Sequence, residues 1–189
     1  MKTVKLGDLE RGSLFSYGGI EWALLDDPEF ESEDEDVATA LCISADVVCK
    51  KALDAKNRNN FKESTLRAWL NGEFIYHLVD HGADMSKFDD LILDLTSDDG
   101  LRDYDLDQVK IGLITCAEYR MYRRYIPKVE GWWWTCTPRS TKHGADGDYV
   151  RCVCASGALG SSSAGSGYFD VRPICVLHYD TLVSVEDGD

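Results

Sequence analysis

Along the first fifty residues, apolar and polar positions alternate in short runs. In LFSYGGIEWALLDD two such runs flank Gly18-Gly19, the pattern of a β-hairpin closed by a glycine turn. DVATALCISADVV predicts a third strand, with Val37, Thr39, Leu41 and Ile43 on one face. The acidic stretch DPEFESEDED between them reads as a solvated loop whose like charges discourage edge pairing. The period then changes to helical. In NNFKESTLRAWLNGEF, Leu66, Trp69, Leu70 and Phe74 form one stripe, Asn60 is placed to cap with Glu63 three residues on, and Gly72 ends or kinks the helix. VKIGLIT predicts a buried strand. A second helix opens at Thr115 on the capping box TCAE and runs through Tyr119 and Tyr122 to Pro127.

The C-terminal third is built differently. GWWWTCTP, DYVRCVCA, YFDV and VRPICVLHY are aromatic and β-branched segments separated by glycine, serine and polar loops, which predicts an antiparallel sheet with long connections. Ser156 to Gly167 is almost entirely Ser, Gly and Ala. Cutting there leaves a piece of roughly twenty residues, too small to fold alone, so the stretch is a loop inside one domain spanning 1–189.

Composition narrows the function classes. Five Trp, nine Tyr and 44% hydrophobic content in 189 residues describe a folded chain with a substantial core. The formal charge of −14 argues against nucleic acid and against an anionic membrane as partner. The one basic cluster, RMYRRY from Arg120 to Arg124, reads as a solvated helix face. No signal peptide and no membrane-spanning stretch is visible, so the expectation is a cytoplasmic, virion-associated or otherwise exported protein without membrane insertion. Seven cysteines, odd in number and mostly inside apolar runs, read as reduced buried thiols. Cys152 and Cys154 share a core face with Val150. With Cys136 and Cys175 they form a four-sulfur set, but no CxxC knuckle supports a zinc site.

Catalytic signatures are sparse. The glycines of SGALGSSSAGSG lack the Lys-Ser/Thr ending and the following helix of a phosphate loop, and neither GxSxG nor HExxH occurs. His77 and His81 stand at i and i+4, but Gly82 follows directly, which points to helix C-capping rather than metal ligation. Asp103, Asp105 and Asp107 resemble half of a calcium loop without its glycine or closing glutamate. No motif calls for a cofactor.

The ordered set STLRAWLNGEF, DQVKIGLITCAEY, WWWTCTP, YVRCV and VRPICVL resembles a bacterial and phage family with S.LR.WLN, Glu-Tyr, WWLRSP and VRP motifs. Ser64, Leu66, Arg67, Trp69, Leu70 and Asn71 match the first motif, and Asp107, Glu118 and Tyr119 the second. Trp133, Trp134 and Pro138 match the third, and Val171, Arg172 and Pro173 the last. Thr135, Cys136 and Thr137 depart from WWLRSP. The family is similar to the C-type-lectin-like fold, to formylglycine-generating enzymes and to the variable proteins of diversity-generating retroelements. The resemblance implies an α+β, C-type-lectin-like domain with two helices packed on short antiparallel sheets. The catalytic cysteine pair of the enzymes has no counterpart, so no activity is implied.

In retroelement-diversified proteins, Asn codons of the C-terminal region become Ser, Gly, Tyr, Phe, Asp, His, Cys, Thr or Arg. The stretch from Thr135 to Asp170 is rich in these types and contains no Asn. Such scrambling and ordinary descent from an undiversified relative both fit. The resemblance implies a non-catalytic display region at about 132–173, binding a protein or glycan on a cell or virus surface. Its candidate contacts are Trp134, Cys136, Arg139, His143, Asp146, Asp148, Tyr149, Arg151, Ser161, Ser162, Ser163, Ser166, Tyr168, Phe169 and Asp170. The alternatives are a structural phage or cell-surface component, and a metal-dependent relative using the 103–107 carboxylates or His143. Arg172 is expected to act as scaffold, paired with a carboxylate or with carbonyls. The ligand's identity and the oligomeric state are not encoded in any motif.

Overall fold

The computed structural model describes residues 1–26 and 38–186. The acidic stretch and Val37 lie outside the described residues. In chain order the first half holds β1 (Lys2–Lys5), β2 (Leu14–Tyr17), β3 (Ile20–Leu24), β4 (Thr39–Ser44), β5 (Cys49–Lys50), α1 (Thr65–Leu70) and α2 (Glu73–Asp80). Then come β6 (Phe88–Asp89), β7 (Leu91–Asp94), β8 (Leu106–Val109), β9 (Ile111–Leu113) and α3 (Cys116–Tyr122). The last third is all strand: β10 (Trp133–Pro138), β11 (Tyr149–Val153), β12 (Leu159–Ser163), β13 (Asp170–Val171), β14 (Pro173–His178) and β15 (Leu182–Val185). The architecture is mixed, mostly sheet, with a bent helix and curled, largely antiparallel sheets. No helix among the described residues is long and apolar enough to cross a membrane.

The larger sheet runs β1-β15-β2-β3-β4-β14-β6, with β9 also paired to β14. The predicted hairpin is β2–β3: Phe15 faces Trp22, and Gly18 and Gly19 carry φ of +62° and +79°, which L-residues avoid. β4 differs from its reading as a one-faced strand. Ala40, Leu41, Cys42 and Ile43 are all buried, because β4 lies inside the sheet between β3 and β14 with both faces covered.

The first helical segment is two short helices. Asn60 caps a single 3-10 turn, accepting from Lys62 N at 3.2 Å, and Ser64 is the true cap of α1, accepting from Arg67 N at 3.1 Å. Gly72, at φ −125° and ψ −97°, breaks the helix where expected and α2 restarts on the same apolar stripe: Leu66, Leu70, Phe74 and Leu78 are buried. The family-like residues here are structural pegs. Arg67 grips the buried Asp107, Nη2 to Oδ1 at 2.7 Å, and Asn71 bonds the backbone of Lys110 and Ile111. His81 ends α2, its Nδ1 2.8 Å from His77 O, with Gly82 at φ +91° after it. That is the capping role.

α3 opens on the expected box, Thr115 N to Glu118 Oε2 at 2.8 Å and Glu118 N to Thr115 Oγ1 at 3.1 Å. It stops at Tyr122, short of Pro127, because the chain tightens into a turn with Tyr125 N bonded to Tyr122 O. All seven cysteines are free.

Candidate ligand-binding surface

The second sheet, β12-β11-β10-β13-β5, carries nearly all the candidate residues. Much of the Ser/Gly stretch is not loop. Leu159 to Ser163 form β12, and five consecutive residue pairs lock it to β11. Serine and glycine contribute little strand propensity, so the partner's backbone supplies the order. Tyr149 faces Ser163 and Arg151 faces Ser161 on one side; Val150 faces Ser162 and Cys152 faces Gly160 on the other.

The inner side is core. Val150 and Cys152 are fully buried, and Trp134, opposite Cys152, donates Nε1–H to Lys51 O at 2.9 Å. Phe169 stacks on the Trp134 ring with centroids 4.1 Å apart, and Trp132 meets Phe169 edge-on. The outer side is covered at one end by α3, where Tyr119 packs edge-on against Trp133. Beyond α3 it is open. There the Arg139 guanidinium lies 5.6 Å over the Tyr149 ring with Asp146 3.7 Å from its Nε, and Arg151 Nε donates to Asp98 at 2.8 Å. Tyr168 is 87% exposed on the turn between β12 and β13.

This surface is braced from below. Asn57, at φ +57°, accepts from Ser163 Oγ and Gly165 N, both at 2.6 Å, and donates to Asp148. Asn59 donates to Ser140 O and Tyr149 O. The loop carrying both is organised by the buried Asp54, whose carboxylate accepts from Arg58 Nε and from the backbone of Lys56, Arg58 and Thr65.

Several expected contacts are corrected. Trp134, Cys136 and Asp170 are buried, because β10 is covered on both faces and β13 lies between β10 and β5. Phe169 is half-buried in the aromatic stack, and Ser162 stands on the Val150 side. His143 is exposed and 3.0 Å from Asp103, at the far end of the 139–148 excursion. Arg139, Asp146, Asp148, Tyr149, Arg151, Ser161, Ser163, Ser166 and Tyr168 remain at least partly exposed.

The three calcium-loop carboxylates do not converge. Asp107 is spent on Arg67, Asp103 on Thr141 and His143, and Asp105 is exposed at φ +57°. No group of three metal-ligating side chains occurs among the described residues. Burial raises every one of the seven thiols above its ordinary range, Cys152 to about 12, which is the opposite of an activated nucleophile.

Arg172 is 1% exposed and bonds only carbonyls: Ser44 O at 2.8 Å, Ala45 O at 2.9 Å and Pro127 O at 2.9 Å. Its guanidinium also lies 4.9 Å over the Trp133 ring. Two clefts that the sequence did not reveal flank the segment 127–131 beside it. One, of about 680 Å³, is lined by Arg123, Arg124, Lys128 and Arg172. The other, of about 790 Å³, is lined by Asp46, Lys50, Glu130 and Asp170. Asp170 Oδ1 makes no hydrogen bond there, and the Lys50 ammonium is 3.5 Å away. Gly131 packs directly against it: a Cβ at that position would fall 1.5 Å from Asp170 Oδ2, so the carboxylate would have to move. Comparison with protein-family models, with curated proteins and with solved structures finds no match to this chain.

Proposed function

We propose that this chain is a non-catalytic ligand-binding protein of C-type-lectin-like fold, similar to the variable proteins of diversity-generating retroelements. It binds a protein or glycan through the outer face of β11–β12 and the turn after it. The observation that carries this reading is the separation of duties along two strands. Val150, Cys152 and Trp134 point inward and hold the sheet, while Tyr149, Arg151 and Ser161 point outward and hold nothing in the core. Side chains so placed can change without disturbing the platform. The mixture is also suited to contact: tyrosines give large area at low entropy cost, serines adapt, and arginine and aspartate set charge.

The test is a library randomised together at Tyr149, Arg151, Ser161, Ser166 and Tyr168, with folded yield measured beside a second library at Val150, Cys152, Trp134 and Phe169. The proposal requires most of the first library to fold and most of the second to fail. Similar losses in both would end it. Selection of the first library on glycan and cell-surface protein panels then identifies the ligand class. A reverse transcriptase gene nearby, with a near-copy of the codons for residues 135 to 173, is the expected genomic companion.

A further inference from the structure

The cleft beside α3 is anomalous in its charge. Acidic residues outnumber basic ones 34 to 20 in this chain, yet the cleft is lined by five basic residues and no acidic one. Among the described residues only Arg120, at its rim, has a carboxylate partner, Asp98 at 3.3 Å. Among the described residues Arg123, Arg124 and Lys128 form no ion pair within 4.0 Å, and neither does Arg172. A cation at a helix C-terminus complements the helix dipole, which accounts for Arg123 and Arg124 taken alone. It does not account for Arg172, which comes from another strand and is buried.

The cations are also placed. Arg123 lies 5.8 Å over the Tyr119 ring, and the Tyr119 hydroxyl donates to Gly157 O at 2.8 Å, fixing the turn that forms the opposite wall. Gly157 has φ +80°, and a Cβ there would come within 2.9 Å of Arg123 Nη2. The turn therefore needs glycine both for its backbone and to let the guanidinium sit against it. Burial pulls Arg172 down to about 10 although the Asp46 carboxylate partly offsets it, and among the described residues Arg172 forms no ion pair.

We propose that this cleft binds a phosphate or sulfate monoester, its tetrahedral oxyanion held by the Arg123 and Arg124 guanidinia and the Lys128 ammonium above Arg172. Forked guanidinium donors match tetrahedral oxyanions with paired hydrogen bonds, which is why arginine predominates at such sites. The volume exceeds that of one ion, and the Trp133, Val153 and Ile126 surfaces leave apolar room for the group that carries the ester. This inference is independent of the display surface, which lies farther along β11.

Inorganic phosphate, sulfate and pyrophosphate are the probes, titrated into the full chain by calorimetry and thermal shift against chloride at matched ionic strength. The expected result is saturable binding of the oxyanions with a rise in melting temperature, and no saturable effect of chloride. In Arg123→Ala/Arg124→Ala, where both side chains are exposed, affinity for phosphate should fall at least about tenfold, since each charge-assisted contact is worth roughly one such factor. Lys2→Ala/Arg102→Ala, exposed and outside the cleft, should bind as the parent does. A parallel NMR titration of the unmodified chain should shift the Gly157 amide and the Arg172 Nε–H. Absence of saturable oxyanion binding, an undiminished affinity in the cleft variant, or binding that leaves Gly157 and Arg172 unmoved would each overturn the proposal.

Discussion

Replacing Arg172 by Met isolates the contribution of one buried cation to the junction between the sheets. The side chain is 1% exposed, and its loss strands three carbonyl oxygens, those of Ser44, Ala45 and Pro127. Each orphaned acceptor costs about 1–3 kcal/mol, the half-buried Pro127 at the low end. The stacking on Trp133 is worth about 1 kcal/mol more. Against this, a neutral side chain escapes the desolvation that pulls the guanidinium from its ordinary range down to about 10, an effect of about 3 kcal/mol. The balance is a net destabilisation of about 3 kcal/mol, or roughly 6–12 °C in melting temperature for a chain of this size. Urea denaturation followed by tryptophan fluorescence measures it directly. The slope should be unchanged and the midpoint lower. Arg172→Lys should lie between the two, because one ammonium cannot reach Ser44, Ala45 and Pro127 together. A loss below about 1 kcal/mol, or a gain, would show that desolvation cancels the carbonyl bonds, and that Arg172 is kept for something other than stability.

Three further outcomes are expected. Tyr168→Ala should stay within about 0.5 kcal/mol of the parent, whereas Phe169→Ala, which breaks the stack on Trp134, should cost about 2 kcal/mol; equal effects in thermal melts would contradict the inward–outward assignment. Asp54 tests the brace. Its burial favours the neutral acid, but hydrogen bonds from Arg58 and the Arg58 and Thr65 amides outweigh this and hold it below the ordinary 3.8. A carboxyl lowered in the folded state contributes stability above its unfolded value and loses it as pH falls through the folded one. Asp54→Asn should therefore cost about 2–3 kcal/mol at pH 7 and flatten the acid limb of stability below about pH 4; parallel pH curves for variant and parent would refute this. Gly131→Ala should cost about 1–3 kcal/mol, because Asp170 must move away from the new methyl group; an unchanged denaturation midpoint would mean that the carboxylate is free to swing.

What could be read from the chain was what is chemically local. Gly18-Gly19, the Thr115–Glu118 box and the His81-Gly82 helix end are short patterns whose partners lie within a few residues, and each formed as written. Even there the cap was misplaced by four residues: Asn60 took the 3-10 turn, and Ser64 capped the helix. Arg172 was legible as scaffold because a cation entering an apolar strand must find acceptors. The inward turn of Trp134 and Cys136 was not legible, since alternation separates faces only when one of them meets water, and β10 has neither face exposed. Nor was β12, whose serines become a strand only because β11 lies alongside. The paired clefts were hidden for a simpler reason. Their walls come from α3, the segment after it, the 154–157 turn and Arg172 for one, and from β2, β3, residues 45–50 and Asp170 for the other, which no spacing in the sequence connects.

The position of β14 has a consequence for how variants of this protein are filtered. It runs through the interior of the larger sheet, paired with β4 on one side and with β6 and β9 on the other, yet it follows every outward-facing residue of the proposed binding surface in the chain. A frameshift or premature stop arising anywhere in that upstream stretch deletes the axle on which the body assembles. Only messages read in frame through residues 173–178 therefore yield a chain able to complete the larger sheet.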